Sequence, residues 1–154
     1  MSAPQMNEKD PNDSDSTAPG GGIEAAARQR AEAAVAKLGE SYLVEAGEQL
    51  AALRQAFDAL PPRAEQSRGE IAGLARLAHE LAGQGSIFGW PLMSEIGNAL
   101  QHLLRDRAEL GRADRAAVQA HLEVMETALR EGVREAAEPR GQDLLAGLAE
   151  FEED

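Results

Sequence analysis

The apolar residues between positions 43 and 60 recur at spacings of three and four residues. They are Leu43, Ala46, Leu50, Leu53, Phe57 and Leu60. This spacing places them on one stripe of an α-helix, which is typical of helices that pack together in a bundle. Pro61 and Pro62 follow directly, and proline cannot continue a helix because it lacks the backbone N–H. The pattern therefore predicts a bundle helix over 41–60.

Three more segments carry helical signals, over 67–84, 91–106 and 114–136. Residues 67–70 (Ser-Arg-Gly-Glu) form a capping signature, Pro91 suits the first position of a helix, and Asp114 is a candidate N-cap. The buried face of the third helix is expected to carry Leu92, Ile96, Ala99 and Leu103. Because the connections are short, neighbouring helices should be antiparallel. The predicted fold class is an all-α, antiparallel four-helix bundle.

Both termini are expected to lie outside the bundle. Residues 1–22 are rich in Pro, Ser, Asp and Gly and predict a disordered acidic tail. The Ala-rich stretch 23–38 predicts an extra N-terminal helix that ends or bends at Gly39. The expected domain organisation is thus a tail over 1–22, a helical bundle over 23–137, and a C-terminal tail over 138–154 with a short helix at 142–151.

Composition excludes several classes of protein. The 154 residues contain no cysteine, so disulfides and cysteine-based sites are excluded. No apolar run approaches the roughly 18 residues of a membrane span, and the N-terminus does not resemble a signal peptide. The formal net charge of −12 argues against nucleic acid and anionic membranes as partners. These features predict a cytoplasmic protein.

His79 is the candidate functional residue. On a helical wheel it points about 135° away from the apolar stripe formed by Ile71, Leu74, Ala78 and Leu81. An isolated exposed histidine is ordinarily a solvated surface residue. Here, however, its neighbours three and four positions away are Ala75, Arg76, Ala82 and Gly83, and three of these four are Ala or Gly. The imidazole therefore stands above a low surface that another protein can approach closely.

The arrangement of His79, Gly83, Gly89 and a following amphipathic helix resembles the histidine-containing phosphotransfer (HPt) domain family, over roughly residues 36–136. The resemblance implies a four-helix bundle in which His79 accepts a phosphoryl group. It also implies that Gly83 leaves room for the partner and that Gly89 serves the interhelical turn. The family usually has Lys at the position of Ala82, where it helps to neutralise the phosphoryl group. Arg76 is the candidate to supply that charge instead.

The resemblance implies a phosphoryl carrier, not an enzyme, with no cofactor. Its partners would be a response-regulator receiver domain, a hybrid histidine kinase, or both. The expected phosphoryl and docking surface comprises Ala75, Arg76, Ala82, Gly83 and Gln84. Ala82 also favours an alternative function, a degenerate HPt adaptor that binds receiver or kinase domains without being phosphorylated.

Other motifs do not indicate chemistry. His79-Glu80 begins like the zinc motif HExxH, but the fifth position is Gly83. The glycines after residue 82 have the wrong spacing for a dinucleotide fingerprint and follow a helix instead of a strand. His102 is expected to be exposed, and His121 to lie at the edge of its apolar face. No metal site is expected, because the three histidines fall on different helices without ligand spacing.

Overall fold

The computed structural model describes the backbone of residues 3–66 and 68–151, with side chains from residue 22 onward except at positions 64 and 67. These residues form five α-helices and two short 3₁₀ helices, and they include no strand. The α-helices are α1 (Ala3–Asp58), α2 (Arg68–Gly85), α3 (Pro91–Leu104), α4 (Arg112–Glu131) and α5 (Pro139–Ala146); the 3₁₀ helices are Arg63–Glu65 and Ala149–Phe151. The predicted all-helical fold class is confirmed.

Contacts between the helices establish that neighbours run antiparallel. The hydroxyl of Tyr42 donates a hydrogen bond to the carbonyl oxygen of Leu81 near the end of α2. Leu60, just after α1, lines a groove together with Gly69 at the start of α2. Helices α3 and α4 are also antiparallel. The N–H of Leu92 donates to the carbonyl of Arg134, and the Arg107 side chain meets Asp114 at the other end. Short connections between the helices make this arrangement the natural one.

The bundle core is built from leucine, isoleucine, methionine and alanine, with Tyr42 and Trp90 at one end. Its fully buried large side chains are Tyr42, Leu53, Ile71, Leu74, Leu81, Leu92, Met93, Ile96, Leu100, Leu104, Leu110 and Leu122. The predicted core position of Leu43 is wrong, because its side chain is 38% exposed and Tyr42 is buried instead. Both residues fit the apolar spacing, and the packing of α1 favours the neighbour that is nearer the middle of the stripe.

Several predicted helix details differ from the structure. In α3 the predicted positions Leu92 and Ile96 are fully buried, but Ala99 and Leu103 are only half-buried. Leu100 and Leu104 are buried in their place. Asp114 is not the N-cap of α4, which starts at Arg112 after Gly111. Asp114 instead lies in the first turn and accepts a hydrogen bond from the N–H of Gly111 at 3.0 Å. The proposed cap at Ser67 lies outside the described residues.

The N-terminal expectations also differ from the structure. Helix α1 includes residues 3–22, where the sequence predicts a disordered tail, and it passes through Gly39 without a break. Helical hydrogen bonds are local, so glycine raises the cost of a helix without forbidding it. Residues up to Lys37 group separately from the unit that begins at Leu38. The division of the sequence into a tail, a bundle and a second tail stays a prediction.

The C-terminal segment packs on the bundle core. Helix α5 begins at Pro139, three residues before the predicted short helix, and Leu144 and Leu148 are buried among the core residues. Arg140 pairs with Glu131 at 2.8 Å, which links α5 to the end of α4. Residues 139–151 are therefore part of the packed structure.

Candidate functional site

His79 lies in the middle of α2, and its side chain is exposed as predicted. The ring is held from the neighbouring helix, because Nδ1 lies 3.2 Å from Oε1 of Gln101 on α3. An amide oxygen can only accept a hydrogen bond, so Nδ1 must carry the proton in this contact. In the neutral imidazole, Nε2 then keeps its lone pair and is the nucleophilic nitrogen. Sequence reasoning missed Gln101, since nothing local to α3 reveals which residue of α2 it faces.

Small residues bring α2 and α3 close together beside the histidine. A Cβ atom added at Gly97 would lie only 2.9 Å from Cβ of Ala82 and 3.3 Å from the carbonyl oxygen of Ala78. Since carbon atoms normally pack at about 3.5–4.0 Å, residue 97 has room for glycine alone at this helix spacing. This close approach sets the distance across which Gln101 reaches His79.

The predicted exposure of Ala82 is wrong. Its side chain is 4% exposed and packs toward α3, away from the solvent around His79. Its carbonyl oxygen accepts a hydrogen bond of 2.5 Å from the hydroxyl of Ser94. Oγ of Ser94 in turn accepts a hydrogen bond of 2.7 Å from the N–H of Ser86. The residue that aligns with the family's lysine is thus part of the α2–α3 contact in this chain.

Two cationic side chains near the histidine have no hydrogen bond or ion pair with another described residue. Arg76 is exposed one helical turn before His79, as predicted. Arg105 is exposed one turn after Gln101, at the end of α3. A groove of about 300 Å³ runs beside Arg105 and Ala75, and Arg68 and Arg107 also line it. Arg107 is paired with Asp114 at 2.9 Å. Arg68 is eleven residues before His79, about 16 Å along the helix, so Arg76 and Arg105 are the unpaired arginines nearest to the histidine among the described residues.

The four remaining predicted site residues lie in different settings. Gly83 is exposed, and a Cβ atom built there would meet nothing within 4 Å. Gln84 is half-buried, and its Oε1 is buried without a hydrogen-bond partner among the described residues. Gly89 lies in the connection between α2 and α3 with φ of +87°, a conformation that favours glycine because it has no Cβ. Ala75 is half-buried in the wall of the groove beside Arg105.

The other two histidines do not join His79. His102 is exposed on α3, as predicted, whereas His121 is only 2% exposed and its Nδ1 lies 2.7 Å from the carbonyl oxygen of Ala117. The predicted boundary position of His121 is therefore wrong, because the apolar face of α4 is wide enough to enclose it. Among the residues the structure describes, no three His, Cys, Asp or Glu side chains form a group that could hold a metal ion.

Comparison with known proteins identifies the family. The family model for the Hpt domain matches residues 37–153, so the chain belongs to the histidine-containing phosphotransfer domain family. Members of this family are phosphoryl carriers of two-component systems. No curated protein and no solved structure matches the chain. Within the described part of the chain, no helix is both long enough and apolar enough to cross a membrane.

Proposed function

We propose that this protein accepts a phosphoryl group on His79 and exchanges it with the aspartate of a receiver domain, or receives it from a hybrid histidine kinase. The observation that carries this proposal is the exposed His79 ring with Nδ1 bonded to Gln101. The bond leaves Nε2 free and fixes the direction of its lone pair. A carrier needs little else, because phosphoryl transfer depends on positioning and on neutralisation of charge.

The transfer step uses only one atom of this chain. Nε2 of His79 attacks the phosphorus of the aspartyl phosphate in line with the bond to the leaving group. The Nε2–P bond forms, the P–O bond to the aspartate breaks, and the carboxylate leaves with its electron pair. Nδ1 keeps its proton throughout, so positive charge develops on the ring. The oxygen of Gln101, 3.2 Å from Nδ1, then accepts a charge-assisted hydrogen bond, which stabilises the phosphorylated ring.

Arg76 and Arg105 are the proposed sources of positive charge on this chain. They flank His79 from α2 and α3, and both are free of ion pairs with other described residues. Guanidinium groups bind phosphoryl oxygens well because their N–H groups form a planar fork. The proposed docking surface therefore comprises His79, Gly83, Ala75 and the two arginines. Ala82 is not included because it is buried.

A degenerate adaptor is the second candidate function. The observation that favours it is Ala82, which stands where the family usually has Lys and is packed against α3. An adaptor of this kind would bind the same receiver domains but would carry no phosphate. The two functions differ in one measurable property, the covalent phosphate on His79.

The deciding experiment incubates the purified chain with receiver domains that have been phosphorylated with radiolabelled phosphodonor. A carrier will acquire phosphate that is labile in acid and stable in alkali, as expected for a phosphohistidine. His79→Gln should abolish this labelling, with His102→Gln as the matched control. If His79→Gln is labelled as strongly as the natural chain, the acceptor is another residue and the proposal fails. Receiver binding without any labelling would support the adaptor.

A further inference from the structure

Ile87 is the most exposed large hydrophobic side chain among the described residues. It is 74% exposed, and it is the second residue after α2, in the connection to α3. In the free protein this branched aliphatic side chain is in contact with water, which is unfavourable for apolar surface. The side chain therefore gains from any partner that covers it.

The connection that carries Ile87 is anchored on both sides. The Phe88 ring stacks on Tyr42 with centroids 5.9 Å apart, and Trp90 donates from Nε1 to the carbonyl of Gly39 at 3.3 Å. On the other side, the N–H of Ser86 donates to Ser94. With its neighbours held inward, Ile87 is held outward, so a partner has little ordering cost to overcome when it binds this side chain.

Ile87 and His79 lie within one docking footprint. The N–H of Phe88 still bonds to the carbonyl of Gln84, four residues earlier, so the chain keeps its helical winding past the end of α2. Eight residues of winding separate His79 from Ile87, which corresponds to about 12 Å along the axis and about 80° around it. Gly83 lies between them, open and without a side chain to block a partner.

A partner of standard interface size that is centred on His79 extends as far as Ile87. Stable protein interfaces bury about 800 Å² on each partner, which is a patch of about 16 Å radius. A partner whose aspartate lies against Nε2 of His79 at the centre of such a patch would extend over the position of Ile87. Gly83 lies between the two positions and has no side chain, so it does not separate them with a projecting group.

We propose that Ile87 is the apolar anchor through which a receiver domain docks on this chain. The receiver would present an apolar patch about 14 Å from its phosphorylatable aspartate, the distance that about 12 Å along the axis and about 80° around it give together. Ile87 would be buried in that patch while His79 meets the aspartate. This inference rests on the proposed function, since it takes its partner from there. It adds the specificity-determining contact, which is separate from the chemistry at His79.

The test compares Ile87→Asp with Val44→Asp. Val44 is also a β-branched apolar residue and is 65% exposed, but it lies on α1 next to Leu43, which lines the groove between α1 and α4. The probe is an isolated receiver domain that exchanges phosphate with the natural chain, charged with acetyl phosphate and Mg²⁺. Transfer rates are measured against receiver concentration. Direct labelling by phosphoramidate, a small donor that needs no docking, reports the chemistry of His79 alone.

Ile87→Asp should raise the KM for the receiver about thirtyfold or more, because an apolar contact is lost and a charge is buried. Its kcat and its labelling by phosphoramidate should stay within about twofold of the natural chain, and Ile87→Met should recover most of the loss. Val44→Asp should change neither measurement. If the KM values of Ile87→Asp and Val44→Asp agree within twofold, the anchor is refuted.

Failure of the proposed function would look different. If neither donor labels the natural chain, His79 is not an acceptor. The anchor is then decided with isolated receiver domains chosen without regard to phosphate exchange. Each is loaded with beryllofluoride, and its affinity for the chain is measured by calorimetry. A Kd for Ile87→Asp at least tenfold weaker than that for Val44→Asp would support the anchor. Equal Kd values, or no receiver binding by the natural chain, would overturn it.

Discussion

Replacing Ala82 with lysine should destabilise this protein, although lysine is what the family usually carries there. The side chain is 4% exposed, and its Cβ already meets the surface of Gly97 on α3. Extra methylenes in a packed contact cost about 1–3 kcal/mol. The lysine ammonium must also reach water from a buried position. We therefore expect Ala82→Lys to lower the free energy of unfolding by about 2 kcal/mol.

Thermal unfolding monitored by circular dichroism measures this cost. For a packed unit of about 115 residues, 1 kcal/mol corresponds to about 4 °C in Tm, so Ala82→Lys should melt about 8 °C lower than the natural chain. The matched control is Ala72→Lys, which makes the same substitution on the same helix at an exposed position. That variant should melt within about 2 °C of the natural chain.

The same substitution should slow phosphotransfer. Pushing α2 away from α3 lengthens the contact between His79 Nδ1 and Gln101 Oε1, which is 3.2 Å in the natural chain. The ring then loses its fixed direction. The packing argument is refuted if Ala82→Lys has the same Tm as Ala72→Lys and transfers phosphate faster than the natural chain. Residue 82 would then face the phosphoryl group.

Three further outcomes follow from the site. Gly83→Leu should block transfer from a receiver but leave labelling by phosphoramidate and the Tm unchanged, because a Cβ at this position meets nothing within 4 Å; unimpaired transfer would contradict the docking surface. Arg76→Ala should lower the transfer rate about threefold at low salt and less at high salt. If the rate does not change, the positive charge beside the phosphoryl group comes from Arg105 or from the partner. Burial raises the pKa of Tyr42 from 10.0 to about 12, and the nearby charge of Glu45 contributes to the shift. The neutral hydroxyl therefore stabilises the fold fully below pH 10, and this contribution is lost as the pH rises to about 12. Tyr42 is the single tyrosine, so absorbance at 295 nm in the native and urea-unfolded chain reads both pKa values, and equal midpoints would contradict the burial of its hydroxyl.

Local signals in the sequence predicted the helical class and the position of His79. The apolar spacing of α2 leaves one face without apolar residues. His79 lies on that face, and its position there does not depend on how the neighbouring helices pack. The end of α1 and the start of α3 also follow from local chemistry. Proline has no backbone N–H, so Pro61 cannot continue a helix and Pro91 suits the first position of one. Such features need no knowledge of the rest of the fold.

Tertiary packing decided the surroundings of His79. Ala82 lies three residues after His79 and shares its side of the helix on a wheel, yet α3 covers it because Gly97 lets the two helices approach closely. The same register brings Gln101 against the histidine ring and leaves Arg105 near the site. A helical wheel shows which residues share a face of one helix, but the contact between two helices depends on side chains from both. The sequence of α2 alone therefore determined that His79 is exposed. The packing of α2 on α3 determined its hydrogen-bond partner and the charges near it.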